Sequence, residues 1–382
     1  VFESRAVVGL SIFLVALDLC WMSSAAARSL AVGLVGAAPW VASWWARQEH
    51  PNPAHGRFPG VRCEEMRSEG ATSHIEAKML GFHRKGLVDV GDWHCLTMCP
   101  PINLVQIYSS VRYYMNMLRP HVVVKIWDAR EKEAQEGLSK ADFFKKYGFV
   151  LISRETAMSA QDWEASAPDP LGIQHVTGHG MKKNVETPLS RKYTKEVEQV
   201  IRELLPDAKE IELDPLLARR GPGTKNPGYN FAPHQDYGFT ADDWPLAGPE
   251  FRQRFGREDC HGLVVVNFWR PVRPMQGPVR KTPLAVCDPA SVKMQDIVPV
   301  NVRRDSLGYT KMLDLAFDED QRWYYYPDMT VDEVLVFKSF QHFKSQAGPE
   351  LHTCFHTAFE HPAAPPGAEE RQSCEYRARI WF

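Results

Sequence analysis

Between residues 211 and 382 the chain runs as short stretches of β-branched and aromatic residues, broken every few positions by Gly, Pro or Asp. The stretches at 263–269, 333–340, 353–359 and 373–382 have strand length and no helical period. Many short strands in succession must close on themselves or stack face to face to bury their apolar sides and protect their edges. The pattern therefore predicts a mainly β fold with flanking helices (α+β), built as a sandwich, barrel or jelly roll. The helical signal lies upstream. Val197, Val200, Ile201, Leu204 and Leu205 share one face of 190–205, and Pro206 ends that helix; 140–147 reads as a short helix stopped at Gly148. Residues 122–127 and 149–152 read as buried strands, and the aromatic run from Trp323 to Tyr326 as core.

The first hundred residues do not share this pattern. Residues 6–22 and 30–45 are apolar but shorter than the roughly 20 residues of a spanning helix. The first run precedes Ser23-Ser24-Ala25-Ala26-Ala27, the outline of a signal peptide, so a signal or anchor segment over 6–45 and a loosely packed helix both stay open. The expected division is an N-terminal extension over 1–100 and a folded domain over 101–382, whose β core occupies about 211–382. Eight cysteines in 382 residues are too sparse for a disulfide framework, which favours a reducing, cytoplasmic setting. Cys95 and Cys99 beside His94 have the outline of half a zinc site, but no second half follows at zinc spacing, which argues against a structural zinc. A net charge of −2 without a long basic run argues against nucleic acid as a partner and leaves a small molecule. Oligomeric state is not legible.

The sharpest local feature is His234-Gln235-Asp236. In a strand, residues i and i+2 face the same way, so this imidazole and carboxylate can bind one metal ion together. Such a pair is weak evidence alone. Fourteen His and 47 acids give roughly two matches by chance, and His74-Ile75-Glu76 is the other. A facial triad of two histidines and one carboxylate needs a further histidine and leaves three positions open, as suits Fe(II). His356, in an apolar strand-like segment, supplies it; His352 is the alternative, and the two stand too far apart along a strand to serve together. Arg371 and Ser373 then share a face at the start of the last strand, a guanidinium and hydroxyl that can clamp a carboxylate, with Arg377 or Arg379 as substitutes. Asn267 and Trp269 share a face of the strand from Leu263 and, with Arg270, are candidates for a pocket mouth. Arg219-Arg220 can meet an anionic substrate or simply lie on the surface.

These residues fall within blocks that carry a family resemblance. They include Asp128-Ala129-Arg130, Tyr147-Gly148-Phe149, His234-Gln235-Asp236, Val266-Asn267-Phe268-Trp269-Arg270-Pro271, Trp323-Tyr324-Tyr325-Tyr326-Pro327, His356-Thr357-Ala358-Phe359 and Arg371-Gln372-Ser373. In this order the blocks resemble the AsaB/CmcJ-like hydroxylase/desaturase group of Fe(II)/2-oxoglutarate oxygenases, over roughly residues 105–382. The resemblance implies a double-stranded β-helix of cupin-like jelly-roll type. It also implies His234, Asp236 and His356 as iron ligands, and Arg371 with Ser373 holding the distal carboxylate of 2-oxoglutarate. O2 is the other implied cosubstrate, and the reaction is hydroxylation or desaturation of a small organic molecule of secondary-metabolite type. One departure is Phe340-Gln341-His342, where relatives often carry Asp-Ser. Two readings compete: a jelly-roll binding protein without turnover, and a metal-dependent hydrolase on the same scaffold.

Overall fold

The computed structural model describes residues 73–83, 95–97, 122–166, 188–213, 218–224, 228–238, 249–305, 308–346 and 350–382. Its strands are β1 (His74–Met79), β2 (Cys95–Thr97), β3 (Val122–Asp128), β4 (Phe149–Ser153), β5 (Glu210–Leu213), β6 (Ala218–Arg220), β7 (His234–Gln235) and β8 (Gly262–Pro271). They continue with β9 (Leu284–Cys287), β10 (Ile297–Asp305), β11 (Gly308–Leu315), β12 (Trp323–Tyr325), β13 (Glu333–Phe343), β14 (His356–Ala358) and β15 (Ser373–Trp381). The helices are α1 (Ala129–Glu136), α2 (Lys140–Tyr147), α3 (Ala160–Ser166), α4 (Pro188–Leu204) and α5 (Pro249–Phe255).

Two sheets result. One has the order β4-β13-β8-β15-β5, with β6 also paired to β15. The other runs β1-β3-β12-β9-β14-β7-β11-β10-β2. Every residue of β8 is buried, which explains its continuous apolar run: one side faces the helices and the other the opposing sheet. Contacts between Phe337 on β13 and His356 on β14, and between Asn267 on β8 and Asp236 after β7, show the two inner faces meeting. This is the expected jelly roll.

The helical flank follows local rules. Ser139 caps α2 by accepting from the Asp142 amide, and Gly148 ends it at φ 77°, so Phe143, Phe144 and Tyr147 point into the core. Tyr193, Val197, Val200, Ile201 and Leu204 of α4 join the same core against the outer side of the six-stranded sheet. On that side Lys338 is buried over the Phe144 ring, its amine reaching only the Lys145 carbonyl at 3.4 Å. Burial pushes the amine down to about 8. A folded-state value below the unfolded one means the charge destabilises the fold fully below pH 8, and the effect fades as pH rises toward 10.5. Lys338→Met should therefore stabilise the protein by about 2–3 kcal/mol at pH 7. Denaturant titrations at pH 7 and pH 10 check this, and an equal gain at both would contradict the burial account.

Three expectations need correction. Helix α5 falls inside the stretch read as purely β, because its seven residues are too short to show a period. The sheets also begin well before residue 211, at β3 and β4. Finally, β1 and β2 belong to the nine-stranded sheet although they lie in the supposed extension; β1 pairs with β3 over six positions. The apolar runs at 6–22 and 30–45, Cys99, His175 and His179 lie outside the described residues. Among the described residues, no helix is long and apolar enough to cross a membrane.

Candidate metal centre

β7 is two residues long, yet it alone joins β14 to β11 in the nine-stranded sheet. Its pairing places His234 directly opposite His356, with ring centroids 4.3 Å apart. Asp236 follows directly after the strand and turns back toward both rings, its Oδ1 3.9 Å from His234 Nε2. One donor atom from each of the three side chains lies within 4.8 Å of the others. The Nδ1 of His234 faces the Ala232 carbonyl at 2.8 Å, and that of His356 faces the Cys354 carbonyl at 3.4 Å. A carbonyl only accepts, so each Nδ1 carries the proton and each Nε2 keeps its lone pair. The amide nitrogen of exposed Asn230 lies beside the His234 ring, 3.2 Å from Nδ1 and 3.3 Å from Nε2.

Electrostatics hold these groups in their ligating forms. Burial, then the neighbouring His234, push the His356 imidazole down to about 4, so it is neutral at pH 7. Burial alone would raise the Asp236 carboxyl. The Arg377 guanidinium, the two imidazoles and the Asn267 amide outweigh that and hold it well below the usual carboxylate range. Asn267 donates to Asp236 Oδ2 at 2.9 Å, and Ser339 donates to Asn267 Oδ1 at 3.0 Å, which fixes the NH2 end of the amide toward the carboxylate. Asn267→Ala should weaken metal binding by about 10–100-fold while the protein stays folded. Calorimetric titration with Mn(II) tests this, and an unchanged affinity would show that the hydrogen bond does not orient Asp236.

Arg371 lies elsewhere in the same interior. It is 2% exposed, stacks between Tyr229 (4.1 Å) and Trp269 (5.2 Å), and donates to the Thr282 carbonyl. Its Nε has no hydrogen-bond partner, and among the described residues no carboxylate pairs with it. Burial pushes the guanidinium down to about 9. A buried cation without a counter-ion is costly unless an anion arrives. Gly221, at φ 139°, lies so close that a Cβ would come 2.7 Å from the Arg371 carbonyl, and only glycine permits that approach. Buried Ser373 opens β15 two residues further on.

The structure thus brings together His234, Asp236 and His356, puts Asn267 beside them, and puts Trp269 against Arg371. It does not bring in Arg270. Strand alternation turns that side chain outward, where it donates to the Arg154 and Val331 carbonyls and meets Glu196 of α4, so it is a core tie and not a pocket residue. His352 is away from the cluster, paired with Glu350 at 3.0 Å. His74 of β1 stacks on Trp127. Sequence reasoning missed Ser339, Tyr229 and Glu375, and weighed Arg377 only as a stand-in for Arg371. The alternation on β15 already placed 373, 375 and 377 on one face; nothing in the sequence singled out Tyr229.

The family described as YDMC, oxidoreductase/YMDC permease-like domain, matches residues 100–381. Aspirochlorine biosynthesis protein N of Aspergillus oryzae is 35% identical over 119 residues, which are 31% of this chain and 48% of that protein. The Fe(II)/2-oxoglutarate-dependent dioxygenase nvfI of Aspergillus novofumigatus is 31% identical over 146 residues, 37% of this chain and 50% of that protein. Hydroxylase/desaturase asaB of Aspergillus flavus is 30% identical over 131 residues, 31% and 55% of the two chains. The resemblance read from the sequence blocks therefore stands. The chain spans about half the length of the curated relatives it matches. Among solved structures, the iron and alpha-ketoglutarate-dependent endoperoxidase NvfI is similar in fold, with TM-score 0.55 and 20% identity over 81% of this chain and 98% of that one.

Proposed function

This chain belongs to the oxidoreductase/YMDC permease-like domain family, and we propose that it is a Fe(II)/2-oxoglutarate-dependent oxygenase that hydroxylates or desaturates a small organic molecule. The observation that carries this reading is the pairing of two features in one interior: a cluster of two imidazoles and one carboxylate, and a buried arginine that pairs with no carboxylate among the described residues. Two nitrogen donors and one carboxylate on one side of an ion suit Fe(II) and leave the opposite positions open. His234, Asp236 and His356 would hold the metal. Arg371 would bind the distal carboxylate of 2-oxoglutarate, with Ser373 as a second donor. The bound iron, with 2-oxoglutarate and O2, supplies the oxidising power for breaking a carbon–hydrogen bond.

The chain's own residues do the rest. Tyr229 and Trp269 hold the planar Arg371 guanidinium in place, and Tyr229 anchors its backbone by donating to the Arg371 carbonyl at 2.7 Å. Ser339 and Asn267 fix the Asp236 carboxylate. Phe337, 4.7 Å from the His356 ring, keeps water from that side. The names of the relatives support the same chemistry, and a microbial secondary metabolite is the substrate class we favour. A hydrolase would leave Arg371 without a task, and the intact ligand residues His234, Asp236 and His356 speak against a binding module.

An anaerobic titration with Fe(II) and then 2-oxoglutarate tests the proposal. The expected result is stoichiometric iron, followed by the weak visible charge-transfer band of a chelated keto acid. Bound metal without that band would favour the hydrolase, and absence of metal would favour the binding module.

A further inference from the structure

Glu375 is a further ionisable side chain facing the same interior, with no part in the chemistry proposed so far. It stands on the inner face of β15, two residues beyond Ser373 and two before Arg377. Its Oε1 accepts from Arg377 Nε at 3.0 Å and from an Arg377 terminal nitrogen at 2.7 Å. The same terminal nitrogen is 3.0 Å from Asp236 Oδ1. The two carboxylates therefore lie within about 6 Å of each other, bridged by one guanidinium. Asn267 bridges them a second time, 2.9 Å from Asp236 Oδ2 and 3.3 Å from Glu375 Oε1. The other Arg377 terminal nitrogen donates to the Tyr237 hydroxyl at 3.3 Å, which holds the guanidinium from the far side.

A buried and a half-buried carboxylate this close attract any divalent ion that either one binds. An unrestrained glutamate has three rotatable bonds with which to reach it. Were Glu375 to ligate, the centre would have four protein ligands and too few open positions for a bidentate keto acid and O2. Resting on the Fe(II)/2-oxoglutarate reading, we propose that Arg377 is a positioning residue that holds Glu375 off the metal and so keeps the centre at three protein ligands. Charge agrees with this assignment. The charges of Asp236, Glu375, Arg377, Arg371, Fe(II) and the 2-oxoglutarate dianion sum to zero in the loaded interior.

The test compares wild type, Arg377→Met, Glu375→Gln and the double variant. Each is titrated anaerobically with Co(II), whose visible spectrum reports coordination, and the Co(II)-loaded protein is then titrated with 2-oxoglutarate. Arg377→Met should bind Co(II) at least as tightly as wild type, with an altered visible spectrum, and bind 2-oxoglutarate roughly tenfold more weakly. Adding Glu375→Gln to Arg377→Met should return both the spectrum and the 2-oxoglutarate affinity to near wild type. That rescue is a result no merely structural ion pair would give. A double variant no better than Arg377→Met, or an Arg377→Met protein with weaker Co(II) binding, overturns the proposal alone. A wild type that binds no Co(II) overturns both this and the iron reading; one that binds Co(II) but not 2-oxoglutarate does the same. If Arg377→Met does not fold without metal, Co(II) should restore folding by taking the guanidinium's place between the carboxylates, and a chain that stays unfolded with Co(II) overturns the proposal.

Discussion

Asp236→Ala should weaken metal binding by more than about 100-fold, beyond the 10–100-fold that partners of ligands contribute, and abolish metal-dependent turnover of 2-oxoglutarate. The reason lies in the electrostatics of the cluster. Asp236 is its only anion facing both imidazoles, and Arg377, the two rings and Asn267 all keep that carboxyl ionised. Without it, the two imidazoles and the Arg377–Glu375 pair surround the ion position, and no carboxylate is left in the cluster to ligate the ion. Calorimetry with Mn(II), alongside succinate formation with Fe(II), measures both quantities. Affinity within tenfold of wild type would mean that the metal is held elsewhere.

Arg371→Met carries the second large effect and has two opposite signs. It should leave metal binding unchanged and weaken 2-oxoglutarate binding by about 100-fold or more, since truncating one partner of a buried charge pair costs about 2–5 kcal/mol. It should also stabilise the ligand-free protein by about 2 kcal/mol, because a buried guanidinium that pairs with no carboxylate among the described residues gives way to an apolar side chain of similar reach. The sign follows from burial: the folded-state value falls to about 9, below the ordinary arginine value, so the cost is present at every pH below that and only lessens above it. Melting curves with and without 2-oxoglutarate separate the two effects. A variant that melts lower than wild type without ligand would contradict the idea that this arginine waits for an anion.

Much of the site was legible because strand alternation carries it. His234 and Asp236 come together as the sequence suggested, although Asp236 lies just past β7 and reaches the cluster by turning back, and the apolar run around Asn267 is the buried central strand. What the sequence left open was long-range register. No local pattern says that His234 sits opposite His356, rather than His352, across some 120 residues; the pairing of β7 with β14 decides it. Arg270 misled because a charged residue beside two pocket candidates reads as a third, while alternation sends it to α4 instead. Glu375 and Arg377 were visible only as members of a face. Their effect on Asp236 depends on strands of the opposing sheet meeting the residue that follows β7, a matter of packing that composition and periodicity do not encode.

The brevity of β7 also governs how the protein comes apart. The nine-stranded sheet consists of a five-strand block ending in β14 and a three-strand block beginning at β11; in the strand order the two residues of β7 join them, and His83 after β1 makes a second tie to Leu315 and Ala316. Opening that seam sacrifices few backbone hydrogen bonds, so it belongs to the low-energy end of native fluctuations. An ion gripped by His234 and His356 would rivet the blocks across the gap. Amide hydrogens on either side of the seam should then exchange slowly in the metal-loaded protein and quickly after chelation, while those of β8 and β13 hardly change. Metal occupancy would thus be recorded in the protein's lifetime against proteolysis as well as in its chemistry.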